Sequence, residues 1–403
     1  MGERKQPIGG ASRTRGTKPR ALAPEIEAFV GRFKVPARRR VRALVRASPR
    51  LAELALVFPG AIHALATNHD ARTPREKILA LIEEGAPLRA VARALGLPLW
   101  LRRLPPEAFS GPLPSPLPAG EQFARRVANR LPRSAAESAF WLSSVAFAAT
   151  ACHEDFALWL AEQPLFAEPG DPARLFGVLA AYAWFSGVQP SRANDLIVAP
   201  WRAEIAFDTA LCAAKSWVNR LRLVLQLGDG AIADPWLARG SAMGFAFIPL
   251  IERQAILEEA QAMQNCADQY ADRIARDKCR LFSVRRDGDR AATLEIGPHA
   301  RETGVLTITQ LKARHNMPAS IEVWQAAHAW LASQDRLKRL PSMMAPERPF
   351  DAAAWRETMR PFRARKGGAP WLPETASHAS FAELDASLAD LARRSGVSSW
   401  LFT

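Results

Sequence analysis

The sequence predicts an α+β protein: a mostly α-helical N-terminal region, followed by a module in which a small antiparallel β-sheet is flanked by helices. Three observations carry this reading. From Pro24 to about residue 227, apolar residues recur at steps of three and four, the spacing of one helix face. Between Cys279 and Thr309 the pattern changes to short runs, CRLFSVRR, AATLEI and GVLTIT, with Asp287-Gly288 between the first two. Asp-Gly between alternating runs is a strong hairpin signal, because both residues tolerate the positive φ of a tight turn. Hydrophobic residues make up 48% of the 403, enough to bury a large core.

Composition excludes several classes. No apolar run approaches the roughly 18 residues of a membrane span, so no membrane partner is expected. The charged N-terminus is not followed by an apolar stretch, so no secretory signal is expected. Cys152, Cys212, Cys266 and Cys279 form no CxxC pair, which predicts reduced thiols in a cytoplasmic protein, with no disulfide framework, metal site or cofactor. The glycine patterns of P-loop and dinucleotide sites are absent, as are HExxH and GxSxG. The net charge of +14 is uneven. Residues 1–50 hold fourteen Lys and Arg against three Asp and Glu, leaving +3 for the remaining 353. A negatively charged partner, nucleic acid or an acidic protein, is therefore expected at the head.

Residues 1–22 are polar and aperiodic and read as a disordered basic arm, either a nucleic-acid arm or a solubilising tail. A helical domain follows over 23–109. In PARRRVRALVRASP, Val41, Leu44 and Val45 form an apolar stripe, with Arg38, Arg39, Arg40, Arg42 and Arg46 around it. Pro36 suits the first helical turn and Pro49 ends the segment. Such a helix either lies along phosphates, each neutralised phosphate steepening the salt dependence, or presents a solvated face. LRAVARALGLPLWLRRL has the helix-then-turn pattern of a helix-turn-helix. Pro98, Leu99, Trp100 and Leu101 stand where a polar recognition helix belongs, so the segment reads as core.

The Pro-rich residues 110–120 form a linker or strap. A second helical domain spans 121–240, with segments at 121–131, 134–150, 152–162, 171–186 and 201–227. Trp141, Trp159, Trp184, Trp201 and Trp217 recur there without a fixed period, as in packed helical pairs rather than a solenoid. The turn-rich 229–240 places a boundary near residue 240, and the α/β module covers 241–335. Within it, SIEVWQAAHAWLASQ reads as an amphipathic helix capped by Ser320 and packed on the sheet through Ile321, Trp324, Ala327, Trp330 and Leu331. Residues 336–403 hold a connector (KRLPSMMAPERPF), a basic patch from Arg360 to Lys366, a helix over roughly 378–394 ended by Gly396, and the apolar tail VSSWLF.

Residues 252–316 concentrate groups of catalytic type. ERQAILEEAQAMQNCADQYADRIA reads as one long helix with Ile256, Ala260, Met263, Tyr270 and Ile274 on its buried stripe, Cys266 and Ala267 at the middle and Asn265 at the edge. A hairpin loop of two or four residues puts Ser283 and Arg285 on one sheet face and Thr293 and Glu295 on the other. A three-residue loop reverses this. Cys266 as nucleophile needs a base, for which His315 is the candidate, oriented by Glu295 or Asn316. The bland alternative is a packed cysteine and an exposed histidine. Arg285, Lys312 and Arg314 are candidates to receive a phosphate.

EEAQAMQNCADQY, LFSVRRDGDRAATLEI and ITQLKARHN together resemble the signature of the PcfJ-like proteins, found on bacterial chromosomes, plasmids and other mobile elements. The matching residues are Met263, Asn265, Cys266, Tyr270, Ser283, Arg285, Thr293, Glu295, Gln310 and Asn316. Two positions depart: Ala260 replaces the common Gly before the Met, and Ala267 replaces Val after the Cys. The likeness covers about 240–335, and the helical N-terminal part is similar to extended bacterial members. The resemblance implies a mobile-element setting and no established activity. Three functions stand as expectations: nucleic-acid or nucleoprotein binding through the basic head, an enzyme with a pocket between the 252–275 helix and the sheet, or a structural interaction module.

Overall fold

The computed structural model describes residues 21–397, apart from 72, 128–129, 133, 189, 229, 231–233, 303, 337–348, 366–368 and 370. The expected basic arm up to residue 20, most of the KRLPSMMAPERPF connector, the end of the basic patch at Lys366 and the tail beyond Val397 lie outside the described residues. The protein is α+β, with seventeen α-helices and one five-stranded antiparallel sheet among the described residues. It divides into two compact units, Met1–Leu142 and Ser143–Thr403.

The N-terminal unit contains α1 (Pro24–Gly31), α2 (Val35–Ala47), α3 (Pro49–Val57), α4 (Pro59–Ala66), α5 (Arg75–Glu83), α6 (Leu88–Leu95), α7 (Glu121–Val127) and the start of α8 (Ala135–Ala151). Proline opens each of the first four, where its fixed φ suits the first turn and its missing N–H costs no bond. The side chain of Ser48 caps α3 by accepting from the Arg50 amide at 3.1 Å. On α2, Val41 and Val45 are buried and Leu44 is half-buried. α6 stops at Gly96, whose φ of 68° is left-handed. A short 3-10 turn over Leu99–Arg103 follows in place of a recognition helix, with Trp100 and Leu101 buried. The Trp100 indole donates to the Pro118 carbonyl at 2.9 Å, so the Pro-rich stretch lies across the core as a strap.

The C-terminal unit continues with α9 (Glu154–Ala161), α10 (Pro172–Ser186), α11 (Arg192–Asp195), α12 (Phe207–Leu227), α13 (Arg253–Met263), α14 (Ala271–Ala275), α15 (Ile321–Ala332), α16 (Ala352–Arg365) and α17 (His378–Ser395). Its sheet runs in sequence order through β1 (Gly240–Ala242), β2 (Phe245–Pro249), β3 (Arg280–Arg286), β4 (Asp289–Pro298) and β5 (Leu306–Lys312). One face packs Phe247, Phe282, Val284, Leu294 and Ile296 against α15.

Four expectations are corrected. The meander gains β1 and β2, which the sequence hid. Their turn is Met243-Gly244, both at positive φ (51° and 81°), where methionine gives no turn signal, and β2 ends in proline. On α15, Val323 rather than Ile321 faces the sheet. The buried set Val323, Ala326, Ala327, Trp330 and Leu331 is one continuous stripe, and Ile321 falls on the far side of the helix at 76% exposure.

The long helix is broken. The Gln264 and Asn265 amides both return to the Ala260 carbonyl, with Gln264 left-handed at φ 49°, before a 3-10 turn over Ala267–Gln269 and then α14. Asn265 stabilises the break, because its Oδ1 accepts from the Ala267 amide at 3.1 Å in competition with helical bonding.

The fourth correction is the register. The loop has two residues, Asp287 and Gly288, between the paired Arg286 and Asp289. A bulge then inserts Ala291, since Arg285 faces Arg290 while Val284 faces Ala292. The extra residue reverses the parity. Ser283 stands opposite Thr293 and Leu281 opposite Glu295, so Ser283, Arg285, Thr293 and Glu295 share the face opposite the α15 core.

Candidate functional site

That polar face is covered at β4 and β5 by α13, the 3-10 turn and α14. The break after Met263 turns successive side chains onto the sheet. Glu259 is fully buried: its Oε1 accepts from Thr293 Oγ1 and its Oε2 from Arg290 Nε, both at 2.8 Å. Thr293 Oγ1 in turn accepts from Asn265 Nδ2 at 2.8 Å. Glu295, 2% exposed, accepts from the Tyr270 hydroxyl at 3.0 Å and from Arg273 Nη2 at 2.5 Å. Gln310 Oε1 lies 3.4 Å from the Tyr270 oxygen, and Cys266 Sγ lies 3.8 Å from Asn316 Oδ1. Between these groups is a crevice of about 20 Å³, room for one water molecule.

Seven of the ten motif residues therefore meet in one place: Asn265, Cys266, Tyr270, Thr293, Glu295, Gln310 and Asn316, with Lys312 at the edge. Met263 is buried core of α13. Ser283 and Arg285 share the sheet face but pair with each other, Arg285 Nε donating to Ser283 Oγ at 3.1 Å. Of Arg285, Lys312 and Arg314, only Lys312 lines the crevice. His315 is exposed in a left-handed conformation (φ 59°), and Cys266 meets Asn316 instead. Burial pushes the Cys266 thiol up from its ordinary range. Burial and the neighbouring Glu295 carboxylate do the same to Tyr270, which stays a neutral donor. The crevice can hold a polar atom by several donors and acceptors, but no base among the described residues activates its thiol.

Sequence reasoning missed Glu259, Arg273 and Arg290 as parts of this network, and Asp268 beside it. Glu259 had a signal: it follows Ile256 by three on the buried stripe, an acid where an apolar residue belongs. Asp268 sits in the 3-10 turn and is 3.5 Å from Arg220 and 3.4 Å from Ser216, both on α12. Its carboxyl is raised from 3.8 to about 6, because burial outweighs the loose Arg220 pair. The folded chain thus holds this proton more tightly than the unfolded chain. The stability it contributes is fully present below pH 3.8 and is lost as pH rises through about 6. Asp268→Asn keeps an acceptor for Arg220 and Ser216 without the charge. It is expected to melt with the wild type at pH 4 and to be about 2–3 kcal/mol more stable at pH 8. Chemical denaturation at the two pH values checks this, and a variant less stable at pH 8 would mean that the ion pair outweighs the burial.

The arginines of α2 divide into two groups. Arg38 Nε donates to the Phe33 carbonyl at 2.8 Å, and Arg42 pairs with Glu27 at 2.6 Å. Arg40 is exposed and reaches the Ala66 carbonyl at 3.4 Å. Arg39 and Arg46, seven residues apart on one face, are exposed and without a partner among the described residues.

No described helix is long and apolar enough to cross a membrane. Among the described residues, no group of three His, Cys, Asp or Glu side chains is placed to hold a metal ion. Comparison with protein-family models, with curated proteins and with solved structures returned no match.

Proposed function

We propose that this chain binds nucleic acid through its N-terminal unit. One observation carries the reading: the entire net charge lies there. Residues 1–142 hold 25 Lys and Arg against 11 Asp and Glu, whereas residues 143–403 hold 29 of each. A neutral unit joined to one of net +14 is the distribution that favours counterion release from a polyanion. Arg39 and Arg46 on α2, and Arg89 and Arg93 one turn apart on α6, are exposed and without partners among the described residues. They are the side chains that would contact phosphates.

Membership of the PcfJ-like family, with its plasmid and mobile-element setting, belongs to the same proposal. Its support is the convergence of seven motif residues from separate segments in one crevice. The proposal takes the chain as cytoplasmic, in keeping with four free cysteines. The convergence also favours a second reading, in which the crevice is catalytic. Against that reading stand a thiol pushed up by burial and space for a single water.

The test is fluorescence anisotropy of a labelled duplex, a single-stranded DNA and an RNA of equal length with the full chain. Replacing both Arg39 and Arg46 by Gln is expected to weaken binding about ten-fold or more at moderate salt, at roughly 1 kcal/mol or more per charge-assisted contact. Unchanged affinity would remove α2 from the interface. Binding of an acidic protein with no binding of any nucleic acid would replace the polyanion reading.

A further inference from the structure

The Ser-x-Arg pair of the motif stands outside the polar crevice, and a second pocket explains where it points. By register, Ser241 of β1, Ala246 of β2 and Arg285 of β3 form one row across the polar face of the sheet. Small side chains at the first two positions leave a cavity of about 580 Å³ beside Arg285, within the range of small-molecule sites. Ser283, with no exposure, accepts from Arg285 Nε at 3.1 Å and so fixes the guanidinium plane. The two terminal nitrogens of that fork have no partner among the described residues. Arg239 lines the same pocket, is exposed and has no partner among the described residues.

We propose that this pocket binds a small phosphate monoester, held by Arg285 and Arg239. A planar guanidinium with its terminal N–H groups free is the group best matched to a phosphate in two-point contact, and the Ser283 bond fixes its orientation in advance. Ile248 and Met243 give the wall an apolar stretch for the body of the ligand. Asp287, in the exposed turn, also lines the pocket. Its single carboxylate against two guanidinium groups leaves the charged lining net positive. Ser283 is a positioning residue here: it acts through Arg285 and does not itself meet the ligand.

The experiment uses the full chain and phenyl phosphate as probe, followed by calorimetry and by ³¹P line broadening. Wild type is expected to bind. Arg285→Gln and Arg239→Gln each weaken binding about ten-fold or more. Ala246→Phe weakens it by placing a ring beside Arg285 in the same row while keeping both charges. Arg286→Gln leaves it unchanged, since Arg286 does not line the pocket and reaches Glu322 of α15, 3.5 Å away, on the other face of the sheet. Thermal melts show which variants are folded, and if Ala246→Phe does not fold, the two arginine substitutions decide. No binding at about 10 mM probe overturns the proposal, as does an equal loss in Arg286→Gln. Displacement of the probe by an oligonucleotide without terminal phosphate overturns it in favour of backbone contacts.

Discussion

Glu259→Ala is expected to destabilise the C-terminal unit by about 3–5 kcal/mol, the cost of breaking a buried, hydrogen-bonded ion pair at one partner. Both Glu259 oxygens are in use, one on Thr293 and one on Arg290, and the side chain has no exposure. Alanine leaves the Thr293 hydroxyl without its acceptor and a guanidinium, 27% exposed, without its counter-charge. It also removes the tie that seats α13 on β4, on which the positions of Asn265 and Cys266 depend. A fall in Tm of roughly 10 °C follows for a unit of this size. Glu259→Gln should cost less, because an amide oxygen still accepts from Thr293 and Arg290 can hydrate. Urea denaturation of the three proteins measures both. An alanine variant that unfolds with the wild type would mean that the helix is seated by apolar contacts alone.

Trp330→Ala is expected to cost about as much, roughly 3–5 kcal/mol, on the opposite face of the same sheet. The ring is 1% exposed, stacks on Phe247 at 4.7 Å with 7° between planes, and meets Phe282 at 5.0 Å. It also sets how closely β1 lies, because a Cβ at Gly240 would stand 2.9 Å from Trp330 Nε1. Losing the indole should therefore speed amide hydrogen exchange at Ser241 and Ala242 more than at β4. Its N–H is buried without a hydrogen-bond partner among the described residues, so Trp330→Phe forfeits area but no bond and should cost well under half as much. Equal losses for the two variants would show that the indole N–H is satisfied in solution.

The contrast between these faces explains what the sequence disclosed. Residues acting through local backbone preference were readable: Asp287-Gly288 at the turn, Ser320 as a cap, and Gly96 and Gly396 at helix ends. Residues acting through tertiary pairing were not. Ala291 has no bulge preference, yet its insertion decides that Ser283 faces Thr293. Asn265 bonds locally to the Ala267 amide at the break, but its other bond, to Thr293 across the interface, carries no sequence signal. The seven motif residues could be named from sequence, but the pairing of Cys266 with Asn316 and not with His315 needed the geometry of the 3-10 turn over Arg314–Asn316. The five arginines of α2 read alike in sequence, and the fold engages Arg38 and Arg42 internally while leaving Arg39 and Arg46 exposed.

The claim that function resides in the charge of the N-terminal unit is tested most directly by the salt dependence of duplex binding by the full chain. The observable is the slope of log affinity against log salt between about 50 and about 200 mM. Four exposed arginines on phosphates predict a slope of about −4 or steeper, made shallower by about 2 when Arg39 and Arg46 become Gln. A slope near zero, or one that the double substitution leaves unchanged, would contradict the account.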